Sequence, residues 1–431
     1  MTSRLGNSIF LKVSAIFYGY WVLGVAFFGV FVFGGCGVGA FSLFVKPLQA
    51  EFNWGRGEIM FGFSIFYLLN GIAAPFVGGL IDRYGVRGIV AIGSAVAGIG
   101  LASLYRLESI WHFYAAYTCI GVSMAAVAQV PSSAVVSNWF KKRRGTAIGI
   151  MSTGIGVGIL VLGPFIGTFI MPDHGWRAAY LALALITWIL IPLALFVLRT
   201  NPADMGLFPD GITTGQKMEE NTKTDTAPTG LTLKMALGTS AFWLIALTFF
   251  ISGHSSLGVF HSQVPHLQDI GFPVRQAATA MTSYGLGSAV GKFIFGWLCD
   301  RIKAKYATGI SFFLLACGTI IIMCVGPTSQ MPIIWLYSIV LGLGAGGWLP
   351  TMSMLTNIYF GLKSYGAIFG MISLANGIGG AIGPFFAGYM YDSIHTYSLS
   401  FSIFLASFGV GILAVLLVRH SARYQKTLLA Y

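Results

Sequence analysis

Uninterrupted apolar blocks limit what this chain can fold into more than any other feature. Examples are residues 20–44, 59–81 and 333–354. Each is long enough to cross the hydrocarbon core of a bilayer as a helix, which needs about 20 apolar residues. Charged residues make up only 9% of the 431 positions, against roughly 25% in a soluble domain, so the chain has too little polar surface to cover itself in water. The sequence therefore predicts an all-α membrane protein.

Hydropathy and turn signals divide the chain into twelve predicted membrane-spanning helices in two sets of six. The first set is 17–44, 58–81, 88–105, 111–139, 146–171 and 176–198, and the second is 241–267, 276–299, 306–325, 332–358, 366–390 and 398–418. The stretch between the sets is rich in Thr, Gly, Pro and charged residues, which is typical of a flexible linker. We predict an N-terminal six-helix bundle at 1–199, a cytoplasmic linker at 200–234 and a C-terminal bundle at 235–431.

The net charge of +12 is unevenly distributed between the two sides of the predicted helices. Of the 25 Lys and Arg, 19 lie in the tails, the linker and the alternate connections that share their side, whereas five lie in the opposite connections. Because basic connections stay in the cytoplasm, we expect a multi-pass protein of the cell membrane with both termini cytoplasmic. The basic residues are therefore expected to set the orientation of the protein in the membrane and to contact membrane lipids, and no nucleic-acid partner is expected.

The two sets of helices contain related motifs. Residues 78–83 (GGLIDR) recur as 296–301 (GWLCDR), 218 positions later, and the glycines at 145, 149, 156 and 158 recur at 366, 370, 377 and 379, each 221 positions later. Parallel repeats of six helices are related by a pseudo-twofold axis along the membrane normal, an architecture that suits alternating access to a site between the halves.

The repeated motif also carries a family resemblance. Residues 78–87 (GGLIDRYGVR) resemble the signature between helices 2 and 3 of the major facilitator superfamily. Residues 18–21 (YGYW), 44–47 (FVKP) and 139–145 (WFKKRRG) resemble its monocarboxylate transporter branch, and 291–301 is similar to helix 8 of bacterial members that include the oxalate–formate antiporters. The resemblance covers nearly the whole chain outside the linker and tails. It implies the major facilitator fold and transport of small organic anions.

Lys292 is the only charged residue that lies deep inside a predicted span. It precedes Asp300 by eight residues, or about 12 Å of helix. A charge at this depth is costly unless it meets water or a counter-ion, and no Asp or Glu lies in a span to pair with it. We therefore predict that Lys292 faces a cavity and binds an anion, the alternative being a side chain that snorkels to the interface. The resemblance implies the same role, since Lys292 stands where relatives have a carboxylate-binding arginine, although lysine offers only a point charge.

Two further positions bear on which anion and which coupling ion are used. In the oxalate–formate group a lysine aligns with Asn376, so the neutral amide here favours a single carboxylate; an amide that hydrogen-bonds between packed helices is the alternative. Ser288 stands where animal monocarboxylate carriers have an aspartate linked to proton coupling. Coupling of transport to protons would then need another route, for example a proton and an anion that each strengthen the binding of the other at Lys292.

Four other residues are candidates for the cavity. The resemblance implies that Tyr117 donates to a carboxylate and that Trp348 lies near aromatic residues that close the pocket, with packing as the alternative for Trp348. His254 is either a proton acceptor near neutral pH or a neutral hydrogen-bonded histidine. Gln129 is a candidate because of its depth alone.

The paired charges Asp82–Arg83 and Asp300–Arg301 lie at predicted cytoplasmic helix ends. The resemblance implies charge networks that gate the cytoplasmic side, and simple capping of the helix ends is the alternative.

These features favour a monomeric secondary transporter of small organic anions, foremost monocarboxylates, with the proton as a candidate coupling ion and no cofactor. An exchanger of oxalate-like or phosphorylated anions and a non-transporting solute sensor are the alternatives. No enzyme motif is present in a suitable context, so enzymatic activity is not expected.

Overall fold

The computed structural model describes residues 17–140, 144–211, 230–361 and 364–419, and these ranges are almost entirely helical. The first six long helices are α1 (Gly19–Phe52), α2 (Arg56–Tyr84), α3 (Val86–Ser103), α4 (Ile110–Ala125 and Gln129–Trp139), α5 (Arg144–Pro164 and Phe165–Ile170) and α6 (Met171–Trp188 and Leu190–Phe196). The second six are α7 (Ser240–Asp269), α8 (Val274–Arg301), α9 (Ala304–Met323), α10 (Met331–Gly346 and Trp348–Phe360), α11 (Tyr365–Ile394) and α12 (Ser398–Leu416). We call α1–α6 the N-half and α7–α12 the C-half.

Within the described ranges, ten helical stretches are long and apolar enough to cross a membrane. One of them, Thr146–Phe196, contains both α5 and α6. Its direction changes at Gly175, within Met171–Trp188, where φ is 77° and glycine is favoured. The exception is α8, which is more polar because it carries Lys292 as well as charges near both ends. The predicted all-helical, multi-span architecture is confirmed.

The helices alternate in direction, so their ends gather at two opposite ends of the bundle. The end that carries Arg83, Arg199 and Arg301 is called the basic end, and the opposite end, which carries Arg56 and Asp269, is called the far end. At the far end several helices extend beyond their predicted limits, most of all α1 to Phe52 and α11 to Ile394. Both extensions contain polar and charged residues, and hydropathy does not detect the part of a helix that projects beyond the apolar core.

The two halves meet mainly where α2 packs on α11 and α5 packs on α8. These contacts lie toward the far end: the Oγ of Ser64 donates to the Ala381 carbonyl, and a Cβ built on Gly285 would approach the Leu160 nitrogen to 2.6 Å. Toward the basic end the helices separate, since a Cβ on Gly149 or Gly370 would meet no atom within 4 Å. The space between the halves therefore opens toward the basic end and closes toward the far end.

Candidate functional site

A cavity of about 230 Å³ lies between the two halves. Both halves line it, the N-half with Phe33, Val38, Tyr67, Asn70, Gly71, Gln129, Ile155 and Ile159, and the C-half mainly with residues of α7, α8, α10 and α11. Most of the lining is apolar or aromatic, with hydroxyl and amide groups placed among it. Small-molecule sites usually combine an apolar wall with a few convergent polar groups in this way.

Among the described residues that line this cavity, Lys292 on α8 is the only charged one. Its side chain is partly buried, and its ammonium forms no hydrogen bond or ion pair within the part of the chain that the structure describes. A cation in the middle of a membrane protein needs water or an anion nearby, and the cavity gives Lys292 access to both. The site thus has one positive charge and no acid to neutralise it.

Two of the residues predicted beside Lys292 also line the cavity. Ser288 lies one turn earlier on α8 and is buried. Asn376 on α11 is buried too, and its Nδ2 donates to the Phe249 carbonyl of α7 at 2.8 Å. The amide nitrogen of Asn376 therefore joins two helices of the C-half.

Gln129 and Trp348 line the cavity at two matching interruptions of the helices. In α4 the helix stops at Ala125 and restarts at Gln129, after Ala128 with ψ of −127°. In α10 it stops at Gly346 and restarts at Trp348. The separation of the two restart points along the chain is close to the offset of the sequence repeat. The break at Ala128 in α4 leaves the N-terminus of a helical segment beside the cavity, and such N-termini carry partial positive charge. At Gly347 of α10 the backbone dihedrals stay helical, with φ of −74° and ψ of −20°.

Tyr117 and His254 are placed away from the cavity lining in this conformation. The Tyr117 hydroxyl pairs with the Tyr180 hydroxyl at 3.0 Å inside the N-half. The His254 ring packs against Phe250, Phe386 and Phe404 of the C-half, and its Nδ1 lies 3.3 Å from the Ser255 hydroxyl. Of the seven predicted binding residues, the structure thus brings together Lys292, Asn376, Ser288, Trp348 and Gln129.

The far end is closed by a cluster of charged and aromatic residues that we call the latch: Lys46, Arg56, Asp269, Tyr391, Asp392 and Tyr397. The Arg56 guanidinium of the N-half donates to both carboxylate oxygens of Asp269 in the C-half, at 2.6 and 2.8 Å. It also donates to the Tyr397 hydroxyl at 3.0 Å, and Lys46 contacts Asp269 at 2.5 Å. Arg56 is only 2% exposed, so these bonds are shielded from water.

Further contacts strengthen the latch. The backbone N–H groups of Arg56 and Gly57 each donate to Asp392 at 2.7 Å, and the Arg56 guanidinium lies 3.6 Å from the centre of the Tyr391 ring. Sequence reasoning missed this cluster because it assigned Lys46 and Arg56 to the ends of helices and to connections, where charges are usually solvated. The isolated Asp269 at the end of an apolar span was the available signal.

The residues predicted to gate the cytoplasmic side lie at the basic end. The Asp82 side chain is outside the part that the structure describes. Arg83, Asp300 and Arg301 are exposed and form no ion pair among the described residues; the arginines instead lie over the rings of Tyr84 and Trp297, at 5.2 and 5.3 Å. In this conformation, the described members of the two paired motifs do not link the halves.

Comparison with known proteins places the chain in a family. A model of the Major Facilitator Superfamily matches residues 26–266 and 255–429. The MFS-type transporter YcxA of Bacillus subtilis is 23% identical over 86% of this chain and 88% of its own length. Monocarboxylate transporter 13 of Bos taurus is 24% identical over 93% of this chain and 89% of its own length. Monocarboxylate transporter 11 of Mus musculus is 24% identical over 89% of this chain and 83% of its own length.

The fold is also found among solved structures. A bacterial homologue of the human lysosomal transporter Spinster, in an inward-facing and unoccupied conformation, aligns with a TM-score of 0.68 at 15% identity, over 93% of this chain and 95% of that one. This likeness confirms the predicted major facilitator fold. The family match covers nearly the whole chain and describes transporters rather than enzymes. This chain therefore belongs to the Major Facilitator Superfamily and is a multi-pass secondary transporter.

Proposed function

We propose that this transporter carries small monocarboxylates, and that Lys292 binds their carboxylate group. The observation that carries the proposal is the one cation, Lys292, among the described residues of the cavity lining, where no described acid pairs with it. A positive charge without an acidic partner favours an anionic ligand, because the ligand supplies the counter-charge that the protein lacks. One cation suits one carboxylate, whereas a dicarboxylate or a phosphate ester would bring a second negative charge without a second basic side chain to meet it.

The surroundings of Lys292 support an anion of this kind. The helical segment of α4 that restarts at Gln129 places its N-terminus beside the same cavity, and transporters use such interrupted helices to bind anionic groups. Serine hydroxyls, including that of Ser288, offer hydrogen bonds. The apolar remainder of the wall and the volume of about 230 Å³ favour a small ligand with a short organic body. Relatives named as monocarboxylate transporters align over most of the chain, which is consistent with this substrate class.

Alternating access follows from the arrangement of the two halves. We propose that the basic end faces the cytoplasm, because the positive-inside rule predicts this orientation, and that both termini lie there in the cell membrane. The described conformation is then open to the cytoplasm and closed by the latch on the outside. Opening the latch and bringing the basic ends together would give the outward-open conformation, in which Asp82, Arg83, Asp300 and Arg301 are proposed to hold the cytoplasmic side closed.

Uptake of labelled carboxylates into proteoliposomes tests the proposal. Wild-type protein should transport a monocarboxylate from a panel that includes oxalate and phosphorylated anions, and Lys292→Gln should abolish its saturable binding. The variant should remain folded, because Lys292 makes no ion pair that the substitution would break. Lys303→Gln, which removes an exposed lysine at the basic end, is the matched control and should behave like the wild type.

Two results bear directly on the assignment. Lys292→Arg should keep anion binding but weaken its dependence on external pH, because arginine stays protonated. Unchanged monocarboxylate affinity in Lys292→Gln would exclude Lys292 as the anion site, and preferential exchange of oxalate or of a phosphorylated anion would exclude the proposed substrate class.

A further inference from the structure

Buried polar atoms without partners are concentrated on one part of α7. Eight buried side-chain nitrogen or oxygen atoms have no hydrogen-bond partner within the described ranges, and six of them belong to residues between His261 and Gln268. Proteins usually satisfy such groups with a hydrogen bond, because leaving one unsatisfied is costly. This clustering indicates a segment whose polar groups are buried in one conformation and have partners in another.

His261 is the most informative member of the cluster. Its side chain is 0% exposed, and neither ring nitrogen has a partner in the described structure. It directly follows Phe260, which lines the cavity, and precedes Asp269 of the latch by eight residues, or about 12 Å of helix. His261 therefore lies between the cavity and the closed far end, on the path that a solute takes when the far end opens.

The ring of His261 crosses from the C-half to the N-half. Its centroid lies 3.9 Å from that of Phe63 on α2 and 5.7 Å from that of Phe41 on α1. The next residue of α1 is Ser42, whose hydroxyl is also buried without a partner. Separation of the halves at the far end would withdraw both phenylalanines and expose the imidazole and this hydroxyl to water.

The other two histidines of α7 do not share this position. His254 packs on Phe250, Phe386 and Phe404, all in the C-half. His266 packs on Tyr397 and Phe401, also in the C-half. Among the three, only His261 has ring contacts with the opposite half.

We propose that His261 is a proton-binding site that water reaches only when the far end opens, so that its protonation favours the outward-open conformation. In the closed conformation the ring is neutral, since a buried imidazolium between two phenylalanines has no anion to compensate its charge. A hydrated imidazole has an ordinary pKa near 6.5 and binds a proton in mildly acidic surroundings. The proton must leave before the far end closes again, which links proton release to closure.

Thermodynamic linkage fixes the sign and the size of the effect. A proton that binds one conformation stabilises that conformation, so acidification must raise the outward-open to inward-open ratio. With the ordinary pKa of about 6.5 in the open state, the ratio should rise about tenfold between pH 8 and pH 5.5. The inference rests on the alternating access proposed above but not on the identity of the substrate.

Other titratable groups surround this region. On the neighbouring helices they are Lys46, Arg56, Tyr67, Tyr117, Tyr284, Lys292, Tyr337, Tyr391, Asp392 and Tyr397, and on α7 itself His254, His266 and Asp269. Free tyrosine, lysine and arginine titrate above this pH window, and free aspartate titrates below it. The two remaining histidines are therefore the relevant controls.

The experiment measures the opening of the far end directly. Spin labels at Glu108 and Thr328, exposed positions in far-end connections of the two halves, report their separation in purified protein whose five native cysteines have been replaced. Distance distributions are recorded from pH 8 to pH 5.5 for the wild type and for His261→Gln, His254→Gln and His266→Gln. A second variant, His261→Phe, keeps an aromatic ring between Phe41 and Phe63 in case the glutamine disturbs folding.

The wild type and both control variants should show the tenfold shift toward the longer distance on acidification, and both His261 variants should lose it. A shift that persists in His261→Gln or His261→Phe overturns the proposal, as does a wild type whose populations do not change with pH. A shift that disappears in His266→Gln or His254→Gln but not in the His261 variants would assign the effect to that histidine instead. Binding of a labelled monocarboxylate to the same samples reports separately on the proposed substrate.

Discussion

Replacing Arg56 with glutamine should release the far end and shift the protein toward the outward-open conformation. The side chain makes two bonds to Asp269 and one to Tyr397, and it lies over the Tyr391 ring. All of these contacts join the N-half to the C-half, so none survives separation of the halves. The contacts of the Arg56 and Gly57 backbone with Asp392 do not require the side chain and should remain.

The size of the shift follows from the burial of the Arg56–Asp269 ion pair and from the contacts that Asp269 keeps in the variant. Removing one partner of a buried ion pair costs about 3–5 kcal/mol. Asp269 keeps Lys46 at 2.5 Å and its side chain is 21% exposed, so the loss here should be smaller, about 2–3 kcal/mol. At about 1.4 kcal/mol for each factor of ten, the outward-open to inward-open ratio should rise about 30- to 150-fold.

Distances between spin labels at Glu108 and Thr328 provide the assay, and thermal unfolding separates a conformational shift from general loss of stability. Arg177→Gln is the matched control: its ion pair with Glu51, at 2.6 Å, lies within the N-half and is substantially exposed. An exposed pair contributes less than about 1 kcal/mol, and its loss should leave the ratio unchanged. Equal populations in Arg56→Gln and the wild type would refute the view that this side chain holds the far end closed.

Three more predictions concern the halves and their orientation. Gly285→Leu should disfavour the described conformation, because a side chain there meets the α5 backbone within 3 Å. Gly149→Leu is the control and should have no such effect, because Gly149 faces open space. Distances between spin labels at Glu108 and Thr328 distinguish the two variants. Asp82→Asn should slow transport while leaving substrate affinity within a few-fold, and lost affinity with normal turnover would contradict a gating role. An impermeant thiol reagent should label a cysteine at Asp173 in intact cells but not one at Thr213, and the opposite pattern would reverse the orientation.

The sequence is sufficient to predict the fold because the relevant signals are long and repeated. An apolar block long enough to span a bilayer has few alternatives to a membrane helix, and the recurrence of residues 78–83 at 296–301 defines the two halves. Depth along a helix can also be counted, which is why Lys292 and Gln129 were predicted for the site, and both line the cavity. Ser288 and Asn376, which also line it, were predicted from the family resemblance. Such counting needs no knowledge of tertiary contacts.

What the sequence does not give is which face of a helix meets the opposite half. Tyr117 and His254 lie at suitable depths, yet they point into the interior of their own halves. His261 lies only two turns beyond His254 and has no distinguishing motif, so its contacts with Phe41 and Phe63 emerge only from the packing. The latch escaped prediction for the same reason, because Arg56 and Asp269 are far apart in the chain.

The functional features arise where the two repeats differ. In the register of the repeated motif, Ala74 is the counterpart of Lys292, so the cavity receives its single charge from the C-half alone. At the far end, Glu51 is the counterpart of Asp269 in the same register, and Arg275 lies one position beyond the counterpart of Arg56. A symmetric molecule would form two cross-pairs, but Glu51 binds Arg177 of its own half and only Arg56–Asp269 joins the halves among the described members of these pairs. Because the latch is built around one such pair and lies beside one buried histidine, a single proton or a single substitution is expected to change the balance between the two conformations.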